Sequence, residues 1–356
     1  MGKVYSMTIK YLDSKRLEGV AGDLTATPVI GVGGWKEIGR TTLGSSGDSI
    51  SVASLPDKRY YMILGNYLPD GNFNGKYRFN NDSGSNYARR NSGDGATDTT
   101  AVSQTEFQTD TIAGNGFVQF DIGHVSNLST KEKLILMHTI KHDGDGAGTN
   151  IKRIESVGKW ANTSDATNRI DCVNAAAGSF ASGSECVVLG WDETDTHTDN
   201  FWEPLGSTTL ATAGDNIEVT FTAKKYLMVK LYRKPTGSAD ARWTFNNDGG
   251  SNYANRTSNG GGSDSTSINQ NYFAQYTYSN DDPSYSSTII VNTAGAEKLA
   301  IQHEMTPLGA GANAVHRSES VFKWANTSDQ ITTIDITNSK SGSYDVGSII
   351  EVWGHD

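Results

Sequence analysis

The feature that most constrains this chain is an internal repeat. WKEIGRTTLGSSGDSISV (35–52) returns as WEPLGSTTLATAGDNIEV (202–219), and DKRYYMIL (57–64) returns as AKKYLMVK (223–230). FNNDSGSNYARR (79–90) returns as FNNDGGSNYANR (245–256), identical at ten of twelve positions. EKLILMH (132–138) is matched by EKLAIQH (297–303), and VGKWANTSDATNRID (157–171) by VFKWANTSDQITTID (321–335). GSFASGSECVVLGWD (178–192) is matched by GSYDVGSIIEVWGHD (342–356), and the offset drifts only from 167 to 164. Solenoid units run to about 20–50 residues, so each copy is a whole domain and the chain is a duplication. The expected division is an N-terminal arm (1–33), copy A (34–192), the linker ETDTHTDN (193–200) and copy B (201–356).

Each copy holds eight to ten short strand candidates separated by Gly, Asn, Asp and Ser clusters. The 39 glycines supply turns, and few stretches carry the 3.6-residue period of a helix. The fold class expected is all-β, with two tandem homologous β-sandwich domains of jelly-roll type. An immunoglobulin-like sandwich is the alternative, although each copy is large for one.

The two copies can be read against each other. In YLMVKLY, Leu227, Val229 and Leu231 alternate with Met228, Lys230 and Tyr232, and copy A has Leu64 where copy B has Lys230. Alternation places one set on the core. In the later strand, Leu134, Leu136, His138 and Ile140 match Leu299, Ile301, His303 and Met305, which marks a shared core face and makes buried, satisfied residues of His138 and His303. The opposite face is Ile135, Met137 and Thr139 in copy A but Ala300, Gln302 and Glu304 in copy B. Leu64, Ile135 and Met137 are therefore expected to form an apolar outer face. That face would dock on another subunit, a supporting shell, the arm or a folded-back loop of copy A, with copy B facing solvent.

Candidate chemistry is sparse. Asp82-Ser83-Gly84 suggests a nucleophile turn, but copy B has Gly249 in place of Ser83, and no positioned base or oxyanion hole accompanies it. Asn80, Asp82 and Asn86, repeated as Asn246, Asp248 and Asn252, offer hard oxygen ligands suited to Ca²⁺. The same residues are also what a tight turn uses. No zinc spacing joins the seven histidines. Cys172 and Cys186 align with Ile336 and Ile350 and read as core thiols, with a disulfide open. Trp160 and Trp324 stand at equivalent strand ends, either as core residues or as sugar-stacking platforms. With no phosphate loop or shared carboxylate pair, no enzyme activity and no cofactor beyond Ca²⁺ are expected. A formal net charge of −10 without a basic run argues against a nucleic-acid partner, and the N-terminal residues show neither a signal peptide nor a membrane span. MGKVYS fits the myristoylation pattern through Gly2 and Ser6, or is an ordinary arm.

YLDSKRLEG, WKEIGRTTL, LPDKRYYMIL, NDSGSNYARR, VGKWANTS and SGSECVVLGWD, with the second copy opening on FWEPL, resemble structural proteins of marine tailed phages and related viruses. The resemblance spans nearly the whole chain and carries no catalytic residues. It implies a virion-surface component, either a capsid decoration or turret protein or a tail or fibre protein. A homo-oligomer is implied, a trimer fitting such an appendage, with other virion proteins as partners. Copy A would dock, copy B would project, and residues 1–33 would act as a tether. The alternative is a tail or fibre protein that binds a host glycan or receptor through its sandwich loops.

Overall fold

The computed structural model describes residues 34–109, 114–115, 118–142, 144–193, 195, 199–275 and 282–356. The proposed arm and its MGKVYS start lie outside them. Every regular element among the described residues is a β-strand, and the chain is all-β.

The two copies have the same topology. In copy A an antiparallel eight-stranded sheet runs, edge to edge, through Lys36–Thr42, Glu185–Trp191, Tyr60–Tyr67, Gln119–Ser126, Lys133–His142, Ile151–Trp160, Tyr87–Gly93 and Thr99–Gln104. A four-stranded sheet of Ser49–Val52, Ile170–Asn174, Gly75–Phe79 and Phe107–Gln108 closes over one of its faces. Copy B repeats the order with Glu203–Thr209, Ile349–His355, Tyr226–Arg233, Ser284–Val291, Lys298–Pro307, Val315–Trp324, Tyr253–Asn259 and Ser265–Gln270. Its small sheet is Asn216–Thr220, Thr333–Thr337, Ala241–Phe245 and Phe273–Gln275. These are two tandem β-sandwiches with unequal sheets.

The small sheets obey simple alternation. Asn216–Thr220 buries Ile217 and Val219 and exposes the residues between them, the period-2 pattern of a strand covered on one side. The large sheets do not, because one face is covered by the small sheet and part of the other by the second copy. Each sandwich has its own core, around Ile63, Tyr77 and Trp160 in copy A and around Val229, Trp243 and Trp324 in copy B. A third core lies between the copies, where Met62, Leu64, Ile122 and Leu189 meet Trp202, Met228, Ile301 and Val321. The two copies together are thus four layers deep, with the two large sheets back to back.

This arrangement corrects the face assignment. Ile135 and Met137 are buried inside copy A's own sandwich, so they form no outer face. The counterparts of Ile135, Met137 and the buried Thr139, namely Ala300, Gln302 and Glu304, point into copy B's sandwich, where Gln302 Nε2 donates to Thr288 Oγ1 at 3.0 Å and Glu304 Oε1 accepts from Gln275 Nε2 at 2.8 Å. Polarity misled because buried polar groups with hydrogen-bond partners are tolerated in a core. Leu64 does lie on the outward face, but copy B itself covers it. Neither an outside partner nor a folded-back loop is needed there, and copy B does not stand free in solvent.

Candidate functional site at the seam of the two copies

The seam brings polar groups together that are far apart in the chain. His138 pairs across strands with Glu155, and the equivalent His303 pairs with Glu319. Back-to-back docking sets the two imidazoles against each other, ring centroids 4.6 Å apart at 64°. Arg153 Nη1 reaches Glu155 Oε1 at 2.7 Å and Glu319 Oε2 at 3.3 Å. Its Nε and Nη2 donate to Asp264 at 3.1 and 2.8 Å, while Arg317 Nη1 holds Glu319 Oε1 at 2.9 Å.

Burial, and then the neighbouring Glu319 carboxylate, push the Glu155 carboxyl up to about 7. Burial works the same way on Glu319, but the hydrogen bond from Glu155 and the charges of Arg317 and Arg153 outweigh it and hold that carboxyl below its usual range. Near neutrality the pair therefore shares one proton, with Glu155 as donor. Burial and the adjacent His303 lower the His138 imidazole to about 4, so it is neutral at pH 7. Two neutral imidazoles and the Glu155 carboxyl group, which would have to give up its proton to ligate, present atoms within 4.8 Å of one another in His138, His303 and Glu155. By donor type they could hold a divalent transition metal, although the Arg153 guanidinium already engages the carboxylate.

Beside this cluster the seam opens into a cleft of about 350 Å³, lined by Trp35, Met62, His124 and Leu136 of copy A and Trp202 and Lys230 of copy B, among others. Ionic ties close the seam's margins. Tyr226 Oη donates to Glu185 Oε1 at 2.8 Å and Lys225 Nζ lies 2.9 Å from the same oxygen. Lys323 Nζ contacts Glu297 Oε2 at 3.2 Å and Gly144 O at 2.9 Å. His142, Asp145 and Glu297 form a second cluster of potential ligands, but Lys323 already neutralises its carboxylate.

The repeated loop has a structural task. Asn80, Asn81, Asn246 and Asn247 all adopt φ between 51° and 56°, the left-handed region that Asn tolerates best after glycine. Asp82 Oδ1 accepts the Gly84 N–H at 2.8 Å, and Oδ2 accepts Asn86 Nδ2 at 2.8 Å and Trp160 Nε1 at 2.7 Å. Asp248 repeats this with Gly250, Asn252 and Trp324 at the same distances. Asn80 Oδ1 accepts the Asn168 N–H at 2.8 Å, and Asn246 Oδ1 accepts that of Thr332 at 2.8 Å. Partial burial would raise the Asp82 and Asp248 carboxyls, but hydrogen bonds from the tryptophan, the asparagine and the glycine N–H hold both below their ordinary value. The oxygens considered for Ca²⁺ are therefore engaged in a turn that clamps an indole.

Trp160 and Trp324 are each 1% exposed and pack in their sandwich cores against Phe79 and Phe245. No face of either ring is open to a sugar. Cys172 and Cys186 are buried free thiols, and Cys172 Sγ lies 2.8 Å from Tyr67 Oη. The histidines are also relocated. His138 and His303 lie at the seam rather than in a sandwich core, and neither makes a hydrogen bond among the described residues. Sequence reasoning passed over Glu155 and Glu319, although a signal existed, since both recur at equivalent places in strands that pair with the two histidine strands.

No family model and no curated protein matches the sequence. Among solved structures the chain is similar to domains LG4-5 of the mouse laminin alpha1 chain, at 9% identity over 90% of each chain and a TM-score of 0.18. It is also similar to Ail, the attachment invasion locus protein of Yersinia pestis, at 7% identity over 75% of this chain and 97% of that one, TM-score 0.13. Neisserial surface protein A gives 7% identity over 78% and 96%, TM-score 0.13. Superpositions this poor carry no inference about fold or function.

Proposed function

We propose that the protein is a non-enzymatic structural component of a virion surface, of the capsid-decoration, turret or appendage kind, working as a homo-oligomer. The observation that supports this reading is the seam. Two whole domains are fused through their largest faces into one block with three continuous cores, which suits a part that bears load rather than one that opens and closes around a substrate. The sequence resemblance supplies the virion context. The division of labour changes from the expected one, since copy A and copy B dock on each other and neither projects alone.

Mass spectrometry of purified particles tests the assignment. The chain should be present in many copies per particle and stay with the particles through a density gradient. A chain absent from washed particles would overturn the virion assignment. A host glycan bound by the intact protein on an array would instead point to receptor recognition.

A further inference from the structure

The back-to-back packing leaves half of each large sheet uncovered, and the repeat shows what those halves are. In copy B, Leu299, Ile301 and Val321 are 0, 4 and 1% exposed in the seam core. Their equivalents in copy A, Leu134, Leu136 and Val157, are 57, 54 and 47% exposed. In copy A, Phe120, Ile140 and Ile151 are each 0% exposed in the same core. Their equivalents in copy B, Tyr285, Met305 and Val315, are 44, 44 and 66% exposed. Each open set is a contiguous patch, since Leu136 faces Val157 across strands and Tyr285 faces Met305.

Every copy therefore carries both halves of one interface, and the chain uses one half from each. The half that copy A uses is the half copy B leaves open, and the reverse. Such a contact joins two different patches rather than one patch to itself, so it is heterologous and leaves a complementary pair unfilled. Apolar patches left open on a soluble domain mark contacts.

We infer that the chain binds further copies of itself head to tail, the open half of copy A in one molecule docking on the open half of copy B in the next. The occupant is a second copy because the chain already makes this contact within itself. Leucine, isoleucine and valine of one half meet phenylalanine and isoleucine of the other inside every chain, and the open halves present leucine, leucine and valine against tyrosine, methionine and valine. Repetition gives a ring if the rotation closes and a filament if it does not. This deepens the architectural reading by naming the partner, but it rests on the surface alone, so its failure would leave the particle assignment standing.

The test uses the full chain with Leu136→Lys, which blocks the open half of copy A, and Met305→Lys, which blocks that of copy B. Sedimentation velocity across a concentration series should show wild type growing beyond the monomer and each variant remaining monomeric. Mixing the two variants should give a one-to-one dimer and nothing larger, since only one compatible pair of halves survives. A wild type that stays monomeric, a single variant that assembles like wild type, or a mixture that stays monomeric would each overturn the inference. Both sites are exposed, so thermal melts should match wild type. If a lysine variant melts early, Leu136→Ser and Met305→Ser serve the same mixing experiment.

Discussion

The two sandwiches hold one backbone and fill it differently, and the contrast separates what the fold requires from what it tolerates. In copy A a buried carboxylate, Asp121 on Gln119–Ser126, is held by Tyr77 Oη at 2.8 Å, Thr139 Oγ1 at 2.7 Å and Gln119 Nε2 at 2.9 Å. In copy B the matching position is Ser286, and a buried carboxylate, Glu304, stands instead on the neighbouring strand, where copy A has Thr139. Tyr67 and Tyr77 give way to Arg233 and Trp243, whose Nε1 donates to Gln275 at 2.8 Å. A buried acid is thus accommodated on either strand, provided its hydrogen-bond partners change with it. The Asp–Trp clamp is unchanged to the tenth of an ångström. The turn holds a left-handed asparagine pair and a buried indole at once, so it has fewer solutions than the core.

If the clamp is the fixed part, the two copies should respond alike to its loss. Trp160→Ala and Trp324→Ala should each cost about 3–5 kcal/mol in denaturant unfolding. Costs that differ by more than about 2 kcal/mol would mean that the clamps are not equivalent. Asp82→Ala and Asp248→Ala should each cost about 1.5–3 kcal/mol, because the indole N–H and the loop N–H lose a charged acceptor. Both carboxyls sit below their unfolded pKa, so their stabilisation is present above about pH 4 and fades as the pH falls through the lower, folded value. Melts in acid should therefore converge on those of the Ala variants.

Glu304 sharpens the contrast between the cores. Burial raises its carboxyl to about 8, against the opposing Gln275 hydrogen bond and the facing Arg233 charge. Its stabilisation is full below the unfolded value of 4.5 and is lost as pH rises through about 8, at no more than about 1.4 kcal/mol per pH unit. Glu304→Gln should flatten that decline in melts taken between pH 5 and 8, and an unchanged slope would show that Glu304 is ionised throughout. The smallest effect should come from Ser83→Gly, which writes copy B's residue into copy A's turn and should shift stability by less than about 0.5 kcal/mol. A larger loss would show that the Ser83 hydroxyl has a task the clamp does not explain.

Much of this was legible in the chain. The duplicated domains, the strand-rich composition and the turn at FNNDSGSNYARR follow from residue type and spacing, and comparison with FNNDGGSNYANR removed Ser83 from the shared frame. The partner of Asp82 was not legible, because Trp160 lies 78 residues away and only sheet closure joins them. Leu64 lies in the core between the copies, on the face that Lys230 marks in copy B. Ile135 and Met137 fall on the wrong side in the sequence reading because their face in copy B carries Gln302, opposite Met137, and Glu304, opposite Thr139, which read as solvated, whereas each is a buried polar group with a partner.

The sequence by itself determined the repeat, the all-β class and the strand period, because these depend on neighbours a few residues apart. Tertiary structure alone decided which face of each large-sheet strand is inside and what covers the other. A sheet buried on both sides is apolar on both sides, so alternation cannot name its core face. The choice is made by contacts between strands about 165 residues apart, where the copies dock and half of each face is left open.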